Sequence, residues 1–135
     1  MRRSLTIALL AGAAVTSQAH AQDSRQSRQF LRSTAPGQDV LVQHYGQWDQ
    51  HCTPSGLPSV SVVTNPSHGS VSVRTGTEVV SNPPRVGATD CRGKTMPASL
   101  VWYTPAAGFK GRDSFVYEVH LPHGTLHDTA IVDVR

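Results

Sequence analysis

Polar and apolar residues alternate one by one along much of the chain from residue 38 onward, and no long run keeps a helical period. The clearest stretch is residues 113–120, where Phe115, Tyr117 and Val119 share one face and Ser114, Val116, Glu118 and His120 the other. Residues 126–134 repeat the pattern, with Ala130, Val132 and Val134 on the predicted inner face. Earlier strands are expected at 38–45, 59–64 and 70–75, each compact and rich in β-branched residues. Asn65-Pro66-Ser67-His68-Gly69 lies between the last two as a tight turn in which Gly69 supplies positive φ, so the pair reads as a hairpin. Another strand, 100–104, precedes a corner at 105–111, with Trp102 expected in the core and Phe109 turned inward as an apolar plug.

Between these strands the chain is heavily punctuated. Gly46, Pro54, Ser55-Gly56 and Pro58 mark a loop at 46–58. A short strand at 78–80 stops at Asn82-Pro83-Pro84, because proline lacks the ladder donor, and residues 76–98 read as one long crossover. Six or seven short strands at regular spacing, with no helix, predict an all-β, antiparallel sandwich.

The N-terminus changes the picture of where this domain works. Met1-Arg2-Arg3, the apolar run 5–15 and Ala19-His20-Ala21 are the parts of a secretory signal peptide spanning residues 1–21. The apolar run is too short to cross a bilayer core of roughly 30 Å, so no permanent membrane span is expected. Export to the periplasm or beyond follows. Residues 22–37 read as a disordered polar tail, which leaves 38–135 as the sandwich domain. The formal charge of +3 includes Arg2 and Arg3, which leave with the signal. A near-neutral mature chain, with Arg25, Arg28 and Arg32 dispersed in the tail, does not suit a nucleic-acid partner.

The two cysteines, Cys52 and Cys91, stand alone and lack C-x-x-C spacing, so in an oxidising compartment they are expected to pair. The bond would close a loop of about forty residues and stabilise the fold by roughly 4 kcal/mol in the chain-entropy model.

Residues 60–134 carry a resemblance to a known family. His68-Gly69-Ser70-Val71 after Asn65-Pro66, then the run from Tyr103 to Val119, then Gly124 with residues 129–134, are similar to the bacterial immunoglobulin-like, cadherin-like tandem-repeat domains. The run holds Tyr103, Pro105, Gly108, Phe109, Gly111, Asp113, Phe115 and Tyr117 in the family's Y-x-P-x-x-G-F-x-G-x-D-x-F-x-Y pattern. The residues also have their own account. Pro105 ends a strand, Gly108 and Gly111 permit the corner, and the Asp113 carboxylate accepts backbone N–H groups there. Phe115 and Tyr117 fill the core, and the Tyr117 hydroxyl is expected on backbone as in a tyrosine corner. This chain holds one copy of the pattern, and its last turn, His120-Leu121-Pro122-His123-Gly124, has no carboxylate cluster, so the calcium site of many relatives is not implied.

Candidate chemistry is sparse. His120, His123 and His127 flank the final turn, and neutral imidazoles on one face there would hold zinc or copper. Ser114 near these histidines lacks a G-x-S-x-G elbow, and Gly108-Phe109-Lys110-Gly111 precedes a strand rather than a helix, so neither a hydrolase nor a phosphate loop is indicated. Trp48, beside Cys52, is expected to cover the disulfide, with contact to a glycan or protein as the other reading. The sequence therefore implies no cofactor. It favours a non-enzymatic binding or structural module for a protein or a cell-envelope glycan, working through loops 46–58 and 83–95, with histidine-bound metal as the alternative.

Overall fold

The computed structural model describes residues 27–84 and 86–135; the signal segment expected at 1–21 lies outside them. Seven strands run β1 (Ser27–Thr34), β2 (Val40–Gly46), β3 (Ser59–Thr64), β4 (Gly69–Val79), β5 (Thr95–Pro105), β6 (Gly111–Leu121) and β7 (Gly124–Val134). They form a four-stranded sheet in the order β1-β7-β6-β3 and a three-stranded sheet in the order β2-β5-β4. The two sheets make a β-sandwich. Its core is the alternation read from the sequence: Phe115, Tyr117 and Val119 of β6 and Ala130, Val132 and Val134 of β7 meet Val42, Tyr45, Val101 and Tyr103 of the facing sheet.

The first departure is β1. Residues 27–34 belong to the domain rather than to a disordered tail, pairing parallel with β7 from Ser27↔His127 to Thr34↔Val134. Only Phe30 in this strand is a large apolar residue packed on the core, so composition alone looked like a solvated segment. What holds it is a charge pair. The Arg28 guanidinium donates from Nε and a terminal nitrogen to the two oxygens of Asp128, at 3.0 and 2.7 Å. Asp128 is fully buried, and its Oδ2 also accepts the Tyr45 hydroxyl at 2.6 Å. The Tyr45 and Tyr117 hydroxyls are bonded to each other at 2.7 Å, so Tyr117 does not reach backbone as expected.

The second departure is in pairing. β3 and β4 do not form a hairpin: β3 pairs with β6 and β4 with β5, so residues 65–68 arch from one sheet to the other. Asp113 explains the arch. Its buried carboxylate accepts the Ser67 and His68 N–H groups at 3.0 and 2.8 Å, the Ser114 N–H at 2.9 Å and the Tyr103 hydroxyl at 2.9 Å. It therefore fastens the arch rather than its own corner, and it is the Tyr103 hydroxyl, not that of Tyr117, that reaches a backbone carbonyl, His68, at 3.3 Å. Phe109 turns in from the corner to stack on the His68 ring, centroids 4.3 Å apart. Burial pushes the Asp113 carboxyl up, but the four donors more than offset this and hold it below the usual carboxylate range.

Residues 76–98 are not a crossover. β4 and β5 pair antiparallel from Gly69↔Pro105 to Val79↔Thr95, leaving a loop only at 80–94. Gly76 and Pro97 both sit in the ladder. A Cβ at Gly76 would come within 2.5 Å of Leu100 Cδ1, so the glycine makes room for a neighbour's side chain. Pro97 lies just beyond the last β2 pair, Gly46↔Ala98, where β5 has a neighbour on one side only. Trp102 is not in the core: Val101 and Tyr103 take the inward positions, and Trp102 faces outward beneath Arg74, whose guanidinium carbon lies 4.8 Å from the ring centroid. Apolar residues in both phases of that strand hid its facing.

The chain's three tyrosines are all in the core, and burial raises each above the ordinary phenol value, Tyr117 to about 12. A group whose pKa is raised in the folded state contributes stability that is complete below its unfolded value of ~10 and is lost as pH rises through the folded value. An alkaline titration read at the tyrosinate absorbance band is therefore expected to stay flat through the ordinary phenol range. It should then rise in one step together with the loss of far-ultraviolet dichroism; a separate, earlier rise would contradict the burial.

Candidate functional site

Strand order sorts the connections to two ends of the sandwich. The β1–β2, β3–β4 and β5–β6 connections lie at one end, where Asp113 binds the arch; the β2–β3, β4–β5 and β6–β7 connections lie at the other. That second end is held by Cys52–Cys91, with Cα atoms 5.6 Å apart, the pairing expected from the sequence.

The loop after β2 is built around Asp49. Its Oδ1 accepts the His51 and Thr53 N–H groups at 2.8 and 2.9 Å, and those bonds, Thr53 first, hold the carboxyl below its ordinary range. The tight turn places Cys52 at φ 61°, the left-handed region, and so aims the thiol at the loop after β4. That loop is closed at its base by Val80 N–H to the Lys94 carbonyl and Gly93 N–H to the Val80 carbonyl, both 2.9 Å. Val80, Cys91 and Met96 form a small second core there, with Trp48 and Cys52 packed against it. Trp48 thus covers the disulfide, as expected.

Between these loops and the β6–β7 turn lies an open groove of about 780 Å³, within the ~300–1,000 Å³ of small-ligand sites. Among the described residues, one wall is Gln47, Trp48 and Ser55, the second comes from Val80, Asn82, Pro83, Pro84, Ala88, Thr89 and Cys91, and the third is Leu121 to Leu126, including His123. The first two walls correspond to loops marked by their glycines, prolines and cysteines. The third was missed, because which turn closes an end depends on strand order. Gln47 was missed too. Its Nε2 donates to the Ser55 carbonyl at 2.8 Å, which fixes the amide so that its buried Oε1 meets no hydrogen-bond partner among the described residues.

The three histidines proposed as metal ligands are not brought together. His123 lines the groove, whereas His120 and His127 lie on the outer face of the four-stranded sheet. The register sets His120 opposite Thr125 and His127 opposite Glu118, so the two imidazoles sit diagonally with Glu118 between them, at 3.9 Å from His120 and 3.1 Å from His127. Among the described residues no group of three or more His, Cys, Asp or Glu is arranged to hold a metal. No helix among them is long and apolar enough to cross a membrane. No protein-family model matches the chain, and no curated protein matches it at a significant level.

Proposed function

We propose that this chain is a non-enzymatic, exported, immunoglobulin-like module that binds a protein or glycan of the cell envelope, in the periplasm or at the cell surface, through the groove at its disulfide-clipped end. The observation that carries the reading is the construction of that end. Three connections from different strand pairs converge on one groove, and two of them are tied by the disulfide on which Trp48 packs. Loops fixed to a rigid sandwich are where such folds place binding residues. The buried carboxylates support the non-enzymatic part: Asp113 and Asp128 are both engaged with donors that hold the fold together. Export is supported by the signal-like N-terminal pattern and by the disulfide.

Retention of the purified chain on immobilised cell-envelope material tests this. Trp48→Ala is expected to cut retention roughly tenfold or more, the cost of losing a central aromatic anchor. The double variant His120→Ala/His127→Ala, altered on the outer sheet face, should be retained like the parent. Equal retention of parent and Trp48→Ala, with the disulfide intact in both, would sink the groove reading.

A further inference from the structure

Two strand edges share one flank of the sandwich. Across the layers β1 lies beside β2 and β3 beside β5. The other flank therefore carries β3, at the edge of the four-stranded sheet, and β4, at the edge of the three-stranded one. Four of the seven large apolar side chains that stand exposed among the described residues are here: Val62 and Val63 on β3, Val73 and Val79 on β4. An edge strand offers unpaired N–H and C=O groups to another chain unless it is short, bulged or charged. β3 has six residues and a register shift between Val62 and Thr64. β2 has a shift between Leu41 and Gln43, and β1 carries Arg28 and Arg32. β4 is guarded least. Its eleven residues pair with β5 from end to end without a shift and include neither proline nor lysine. Its two charged side chains fold back across β5: Arg74 lies over Trp102 and bonds to Asp39 at 2.6 Å, and Glu78 meets His44 at 2.9 Å.

We infer that β4 is the contact between two copies of this chain. The copies pair β4 antiparallel with itself about a twofold axis that sets Gly76 against Gly76, joining two three-stranded sheets into one of six. The sequence of β4 selects both the partner and the register. Centred on Gly76, Val73 stands opposite Val79 of the copy, Arg74 opposite Glu78 and Thr75 opposite Thr77, and each pair is made twice. Centring on Thr75 instead leaves Arg74 against Gly76 and Glu78 against Ser72, and centring on Arg74 sets that charge against itself. Val73 pairs with Val101 and Val79 with Thr95 on β5, so both valines lie on the row that faces the opposing sheet. The contact therefore covers apolar surface at the open flank while it completes the ladder. A foreign strand would use the same backbone groups, but only one with valine, glutamate and threonine at these spacings would gain the side-chain pairs, and the copy carries them already. A strand pair of this length buries less than the ~1,200 Å² of a stable complex, so the association is weak and reversible.

The test is sedimentation of the oxidised chain from about 10 µM to about 1 mM, the range in which a small interface associates. A reversible monomer–dimer equilibrium is expected, with amide exchange slowed at alternate residues of β4 as the dimer forms. Val73 and Thr75 are exposed, and Val73→Lys or Thr75→Lys puts a cation into the seam. Each should weaken dimerisation by about tenfold or more and leave the melting of the monomer unchanged. Register is read with single cysteines: Val73→Cys mixed with Val79→Cys should cross-link on oxidation, and neither should do so alone. That mixture needs no lysine, so it keeps the test readable should a lysine disturb the fold. A monomer at about 1 mM, or a dimer that survives both lysine variants, would overturn the proposal. Cross-linking of Val73→Cys with itself would overturn the pairing about Gly76. A chain that stays monomeric and gains protection of β4 only when envelope protein is added would give the edge to a foreign strand, and would overturn the proposal too.

Discussion

Replacing Cys52 and Cys91 together by serine is expected to lower the unfolding free energy by about 4 kcal/mol, the entropy released when a loop of this length is no longer closed in the unfolded chain. The bond joins residues separated by 39 positions and ties together two loops with little regular structure of their own. The sandwich should nonetheless fold, because its principal core, from Val42 to Val134, is built without either cysteine. The damage should be local. Val80, Met96 and Trp48 lose the sulfur bridge on which they pack, so the loosening should be confined to this end of the sandwich. Urea denaturation of the parent and the double variant, with dichroism of the folded baselines, checks both parts. A loss well under 1 kcal/mol would mean that the loops are held by their own contacts. Loss of all sheet signal would mean that the two cores are not separable.

The second large effect is expected at Arg28. Truncation to alanine leaves the Asp128 carboxylate, which is 0% exposed, with the Tyr45 hydroxyl as its remaining side-chain donor. Breaking a fully buried pair costs about 3–5 kcal/mol. The Arg28 side chain is 43% exposed, so solvent screening lowers the expected loss to about 2–3 kcal/mol. Because Arg28 anchors β1 on β7, hydrogen exchange at residues 27–34 should accelerate more than exchange in β6. Changing both partners to leucine should recover part of the loss, since the Tyr45 and Tyr117 hydroxyls still satisfy each other. A double variant less stable than Arg28→Ala would show that the carboxylate is held by something other than this arginine.

These two sites also show what the sequence disclosed and what it withheld. β6 and β7 were legible because Phe115, Tyr117, Val119, Ala130, Val132 and Val134 sit in strict alternation, and tertiary packing simply used that face. The same alternation, continued back from Ala130, places Asp128 on the inner face and so calls for a buried donor, but only the structure identifies that donor as Arg28. Without it, β1 looked like a polar tail. Pairing was harder. Alternation assigns faces but not partners, so residues 59–64 and 70–75 looked like neighbours when the Asp113 carboxylate, dozens of residues later, bends the chain between sheets. Trp102 was misplaced for a related reason, since its strand is apolar on both faces. At the groove, glycines, prolines and the cysteine pair exposed two walls, while the third wall and the Gln47 amide fixed on the Ser55 carbonyl needed the strand order and the atoms.

The most direct measurement of the central claim is a map of backbone amide shifts in the labelled, oxidised chain as a binding-competent envelope fraction or saccharide is added. The account predicts shifts concentrated at residues 46–55, 80–91 and 121–126, with residues 65–68 and 106–110 at the opposite end unmoved. Shifts centred on that opposite end, or along the free edges of β3 or β4, would contradict it and place the binding surface elsewhere on the sandwich.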